Sequence, residues 1–224
     1  MAKSIMVERS GSAAAEAHAA RLEAAGTASH AHAADLAAPL APYRARDLDD
    51  FVHLLCAVYG RQPSVIELAL GAAPPATERR WLEQAATAFE RERLYLVRLS
   101  SATGPMPSTP GAAETESAML AQRHALETLA RSERRGCALG TATALVGDWR
   151  GLRPLLDKAA LRVGIEVPPC ALDDQDGIAQ VIESAASSGV AADRAIRFGA
   201  EQLLLQHRAL FDLLEARSEA REDY

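Results

Sequence analysis

Two ionisable residues interrupt stripes that are otherwise apolar. Counting by threes and fours, Glu92 falls between Phe89 and Leu96, and His207 falls between Leu203 and Leu210. An isolated buried charge is very costly, whereas a hydrogen-bonded pair is tolerated, so inward-facing Glu92 and His207 are expected to pair with each other. Two readings follow. The pair is either a satisfied core contact or an acid/base or ligand-anchoring pair in a pocket, where burial and a charged neighbour shift both pKa values.

Other residues offer weaker chemistry. Di-metal helical bundles use Glu-x-x-His pairs, because a three-residue step on a helix brings both ligands to one metal. That order is absent, and only the reverse occurs, at His124 and Glu127. One such pair supplies only two ligands and reads first as an ordinary surface contact. The segment Gly104–Gly111, with prolines at 105, 107 and 110, is either a rigid connector or the wall of a binding site. In the second case the Ser108 and Thr109 hydroxyls and the following helix N-terminus would face an anion. His30 and His32 could touch a metal but read first as solvated side chains. Gly-x-Ser-x-Gly, Gly-x-Gly-x-x-Gly and Walker-type loops are absent, so no catalytic residue, metal site or cofactor is assigned.

The elements that carry these residues are helical. About a fifth of the residues are alanine, well above ordinary usage, while aromatics make up 4%. Ala, Leu, Glu, Gln and Arg favour helix, and the β-branched and aromatic residues a sheet requires are sparse. Asp47 opens a short helix through Phe51, Leu54, Leu55 and Val58, stopped by Gly60. Pro63 opens a second, through Val65, Ile66 and Leu68, stopped by Gly71.

Thr77 starts a long helix through Trp81, Leu82, Ala85, Phe89, Leu96 and Leu99. Thr109, as cap, with Pro110 at the first position, starts the next, which runs to about Arg131. Ala138, Ala142, Leu145, Trp149, Leu152, Leu156 and Ala160 mark a third long helix, bent near Gly151 and Pro154. Asp173 or Asp174 caps a shorter helix around Ile178. The last long helix spans about Ala191 to Ala220. Gly136, Gly140 and Ala144 form a small-residue series that permits a close helix crossing or a subunit contact.

The expected architecture is all-α: an antiparallel bundle of four long helices with two or three shorter capping helices. Residues 1–42 are expected to be a flexible Ala-rich segment carrying one marginal helix near Ala13–Ala25. Residues 43–220 form a single helical-bundle domain, and 221–224 a loose tail.

Thirty acidic against 24 basic residues give a net charge of −6, which disfavours nucleic acid and anionic lipid as partners. Cys56, Cys137 and Cys170 are odd in number and lack metal or disulfide spacing, which suits a reducing, cytoplasmic setting. No signal-peptide core or membrane-spanning stretch is found.

The block Gly104–Trp149, with its segments GPMPSTPG, QRHALE, SERRGCALG and DW, resembles an uncharacterised bacterial all-helical family, a domain of unknown function. The resemblance extends over about Asp47–Val167 and implies a single helical domain without an assigned activity. Two functions remain open. One is a non-enzymatic bundle acting through self-association or docking of a protein partner. The other is a small-molecule- or metal-binding bundle, conceivably enzymatic, using Glu92, His124, Glu127, His207, Ser108 and Thr109.

Overall fold

The computed structural model describes residues 2–39, 45–72, 74–172 and 175–222. Among them the chain forms nine α-helices and no strand: α1 (Ala2–Ala25), α2 (Ala31–Ala37), α3 (Ala45–Tyr59), α4 (Val65–Gly71), α5 (Ala76–Ala102), α6 (Ala112–Ala130), α7 (Cys137–Val163), α8 (Gln175–Ala186) and α9 (Val190–Glu222). A 3₁₀ turn at Thr27–Ser29 joins α1 to α2. The protein is all-α, and the four long helices read from the sequence are α5, α6, α7 and α9.

Helix α7 is the centre of the packing, touched by all eight of the others. Most of its side chains are buried, from Leu139 and Leu145 through Trp149 to Leu156 and Ala160. It continues without interruption through Gly151 and Pro154. Its closest neighbour is α9, and the small-residue series explains why. A methyl group on Gly140 would overlap the Ile196 carbonyl, and one on Gly199 would overlap the Cys137 carbonyl. The two backbones therefore meet with nothing between them. Trp149, Phe51, Phe89 and Phe211 are fully buried around this contact. Each phenylalanine adds about 2 to 3 kcal/mol of hydrophobic stabilisation.

Several expectations are corrected. Residues 1–42 are not a loose tether where they are described: α1 packs on α8 and α9, and Ala14, His18, Thr27, Ala33 and Leu36 are buried. His30 and His32 are buried as well, not solvated. Alanine gave no large apolar period to read, yet its small size lets these short helices lie close against the core. Helix α4 starts at Val65 rather than Pro63, because Ser64 and Glu67 form a reciprocal capping box. Gly111, with a positive φ of 76°, occupies the N-cap of α6 in place of Thr109. Arg221, assigned to a loose tail, is held by Asp47 and Asp50. The expected caps Asp173 and Asp174 lie outside the described residues.

Candidate ligand-binding site

Glu92 and His207 both point inward, each 1% exposed, as their stripes predict. They do not pair with each other. Glu92 accepts from Trp149 Nε1 at 3.0 Å, from Arg153 Nη1 at 2.9 Å on both carboxylate oxygens, and from the Ala171 amide at 2.9 Å. The Arg153 guanidinium lies 4.6 Å over the Tyr95 ring, and its Nε donates to Asp157 at 2.6 Å. Both carboxylate oxygens and all three guanidinium nitrogens have a partner, Nη2 through the Pro168 carbonyl, which is the condition for a tolerable buried charge.

His207 belongs to a second chain of bonds. Its Nδ1 lies 2.5 Å from Asp148 Oδ2, and its Nε2 lies 2.5 Å from the Tyr59 hydroxyl. Asp148 also accepts from the Thr27 amide and the Thr27 hydroxyl, both at 2.7 Å. Burial pushes the Asp148 carboxyl upward, but the bonds and charge of His207 and the two bonds from Thr27 outweigh it and hold the pKa below its ordinary value. Burial, with the Asp148 charge nearby, pushes Tyr59 well above the ordinary phenol range. His207 Nδ1–H donates to the ionised Asp148, and Nε2 and the Tyr59 hydroxyl share one hydrogen bond. Tyr59 is then packed edge-on by Phe89, Trp149 and His207. The set resembles an acid–base relay in order, but its outer end, the Tyr59 hydroxyl, is engaged by His207 and buried.

Sequence reasoning missed Asp148, Tyr59 and Arg153. Asp148 and Arg153 flank Trp149 on the most heavily buried helix, so a charged residue there had to be paired inside. No local pattern names the partner.

The Gly104–Gly111 segment does line a cavity. Positive φ angles at Gly104 (84°) and Gly111 (76°) turn the chain at both ends. Between them Thr109 faces inward and accepts from Arg217 Nη2 at 3.2 Å and Arg221 Nη1 at 2.8 Å. Arg217 is itself fixed by a two-point pair with Asp50, at 2.7 and 2.8 Å, and by Thr115 at 2.9 Å. This buried clasp ties the segment to α3, α6 and α9.

Beside the clasp opens a groove of about 600 Å³ walled by Leu54, Ala57, Met106, Pro107, Met119 and Leu120. Ser108 and Thr109 line it, with Arg61, Arg123, Arg217 and Glu116. Size and lining match small-molecule sites, which are mainly apolar with a few converging polar groups.

The remaining predicted residues lie elsewhere or are occupied. His124 is exposed on α6, and Glu127 is paired with Arg123 at 3.6 Å and Arg131 at 3.2 Å. Glu92 and His207 do not line the groove. One group among the described residues has metal-ligand proximity: His30, Asp212 and Glu215. There, His30 Nδ1 accepts from the His32 amide at 3.2 Å, so the neutral ring carries its proton on Nε2, 2.9 Å from Asp212. A metal would need the lone pair that this proton occupies. In this conformation the group fits a hydrogen bond, not a coordination site.

A family model described as Family of unknown function (DUF6975) matches residues 22–222, and the chain belongs to that family. No curated protein and no solved structure matches it. Among the described residues, no helix is long and apolar enough to cross a membrane.

Proposed function

We propose that this member of the family is a binding protein for a small molecule with an apolar body, held in the groove between α3, α6, α9 and the Gly104–Gly111 segment. The observation that supports this is the groove's wall. Met106 and Leu120 are 45% and 50% exposed beside it, an arrangement that leaves apolar surface in water unless something covers it. The networks of Glu92 and His207 serve to hold the surrounding helices in place, because all their polar atoms that contact one another are inside the core. The buried thiol of Cys137 in α7 fits a cytoplasmic, reducing compartment.

The test is fluorescence titration with 8-anilinonaphthalene-1-sulfonate, which brightens in apolar sites. Leu120→Glu places a charge on an exposed position of the wall and leaves the core untouched. The reading expects dye affinity to fall about tenfold or more, the equivalent of 1.4 kcal/mol, with an unchanged melting temperature. Unchanged dye affinity overturns it.

A docking or self-association role keeps one supporting observation. Phe198 and Leu205, two turns apart on α9, are 42% and 54% exposed. If they form a subunit contact, Phe198→Glu abolishes a concentration-dependent dimer in sedimentation experiments. A wild-type chain that stays monomeric removes this second reading.

A further inference from the structure

A smaller cavity, about 170 Å³, adjoins the groove and shares Arg61 and Arg123 with it. Its other walls combine Tyr59, Gln62, Ser64 and Glu127 with apolar side chains such as Val58 and Leu126, and polar groups make up most of its lining surface, the reverse of the groove. The two arginines therefore stand at the junction of an apolar space and a polar one. Resting on the groove as the binding site, we infer that its ligand is an aliphatic carboxylate, with the acid group at the junction against Arg61 and Arg123 and the chain along Leu54, Met119 and Leu120.

The state of each charge supports that assignment. Arg217, the third arginine of the groove, already makes four hydrogen bonds, and its charge is paired with Asp50. Arg61 is exposed and forms no ion pair with a described residue. Arg123 is half-buried, and its one partner, Glu127, lies at 3.6 Å, too long for a strong charge-assisted hydrogen bond. Glu127 is also engaged by Arg131 at 3.2 Å, so its negative charge is only partly spent on Arg123. The opposing carboxylate on the groove side is Glu116, exposed at its edge. Arg61 is thus left without a counter-charge, and a planar carboxylate matches its guanidinium fork. Tyr59 contributes a wall and not a donor, since its hydroxyl is buried against His207.

The experiment compares octanoate with 1-octanol as competitors of the bound dye, at low salt, in the wild type, Arg61→Gln and Arg123→Gln. Neither arginine is fully buried, so both variants are expected to fold, and circular dichroism melting verifies it. The inference expects octanoate to bind about tenfold more tightly than octanol to the wild type, as for a hydrogen bond to a charged group. Each variant should lose most of that preference while octanol affinity stays constant. Equal affinities in the wild type, or variants that keep the preference, overturn the head-group assignment and leave the groove reading standing. Failure of both compounds to displace the dye overturns the groove reading along with it.

Discussion

Thr27 and Asp148 are joined twice across 121 residues of sequence: the amide and the hydroxyl of Thr27 both end on the Asp148 carboxylate at 2.7 Å. The same carboxylate orients His207. One side chain on the central helix thus fastens the N-terminal turn on one side and α9 on the other. Asp148→Ala leaves His207 and Thr27 with buried unpaired groups and is expected to cost about 3 to 5 kcal/mol, whereas Thr27→Val, which keeps the amide bond, costs about 1 kcal/mol. Urea unfolding at neutral pH distinguishes the two. Equal losses would mean that the hydroxyl and not the carboxylate is the fastening point.

Gly140 and Gly199 set the distance between α7 and α9. Because a methyl group at either position would overlap a carbonyl of the opposite helix, the helices must separate to accept Gly140→Ala. Alanine ordinarily favours helix over glycine by about 1 kcal/mol. Here the sign is expected to reverse, with a loss of about 2 to 3 kcal/mol through overpacking. Gly71, which has open space at the same atom, is the comparison: Gly71→Ala should be neutral or stabilising. Thermal melting of both variants reads the difference.

His18 is buried against α7 with neither ring nitrogen bonded. Burial, aided by the Arg21 charge, lowers its pKa from 6.5 to about 4. Folded His18 thus stays neutral while the unfolded chain takes up a proton. Stability from this site is fully present above pH 6.5 and is lost as the pH falls toward about 4, by about 3 kcal/mol over the window. His32, lowered chiefly by burial, adds in the same direction. His18→Leu removes the charge cost and the unsatisfied nitrogens, so its denaturation midpoint should exceed the wild type's most at pH 5. An identical pH dependence in the two proteins would rule this out.

The positions that matter were easier to read from the chain than their partners. Helical spacing alone directs Glu92 and His207 inward, and it identifies Gly136, Gly140 and Ala144 as a crossing. The partners Arg153, Asp148 and Tyr59 lie 59 to 148 residues from the groups they bond and come together only when α3, α5, α7 and α9 have packed. Pairing Glu92 with His207 was the shortest explanation for two buried charges, and it ignored the ionisable residues already present on α7. The packing of the N-terminal helices is hidden for another reason: α1 reads only as a marginal helix near Ala13–Ala25, because alanine faces bury little area per residue and leave no strong period even when they pack. Thr109 carried a capping signal that was real in type and wrong in partner, because Arg217 and Arg221 offer its hydroxyl charged donors that a helix end does not.

The most direct test of the groove is carbon-13 methyl spectroscopy of the four methionines during titration with octanoate. Met106 and Met119 line the groove, and their methyl groups report its occupancy. Their signals can be assigned with Met106→Leu and Met119→Leu. Saturable shifts of Met106 and Met119 are the predicted result. Octanoate binding that leaves both of those methyl groups unmoved would contradict the account.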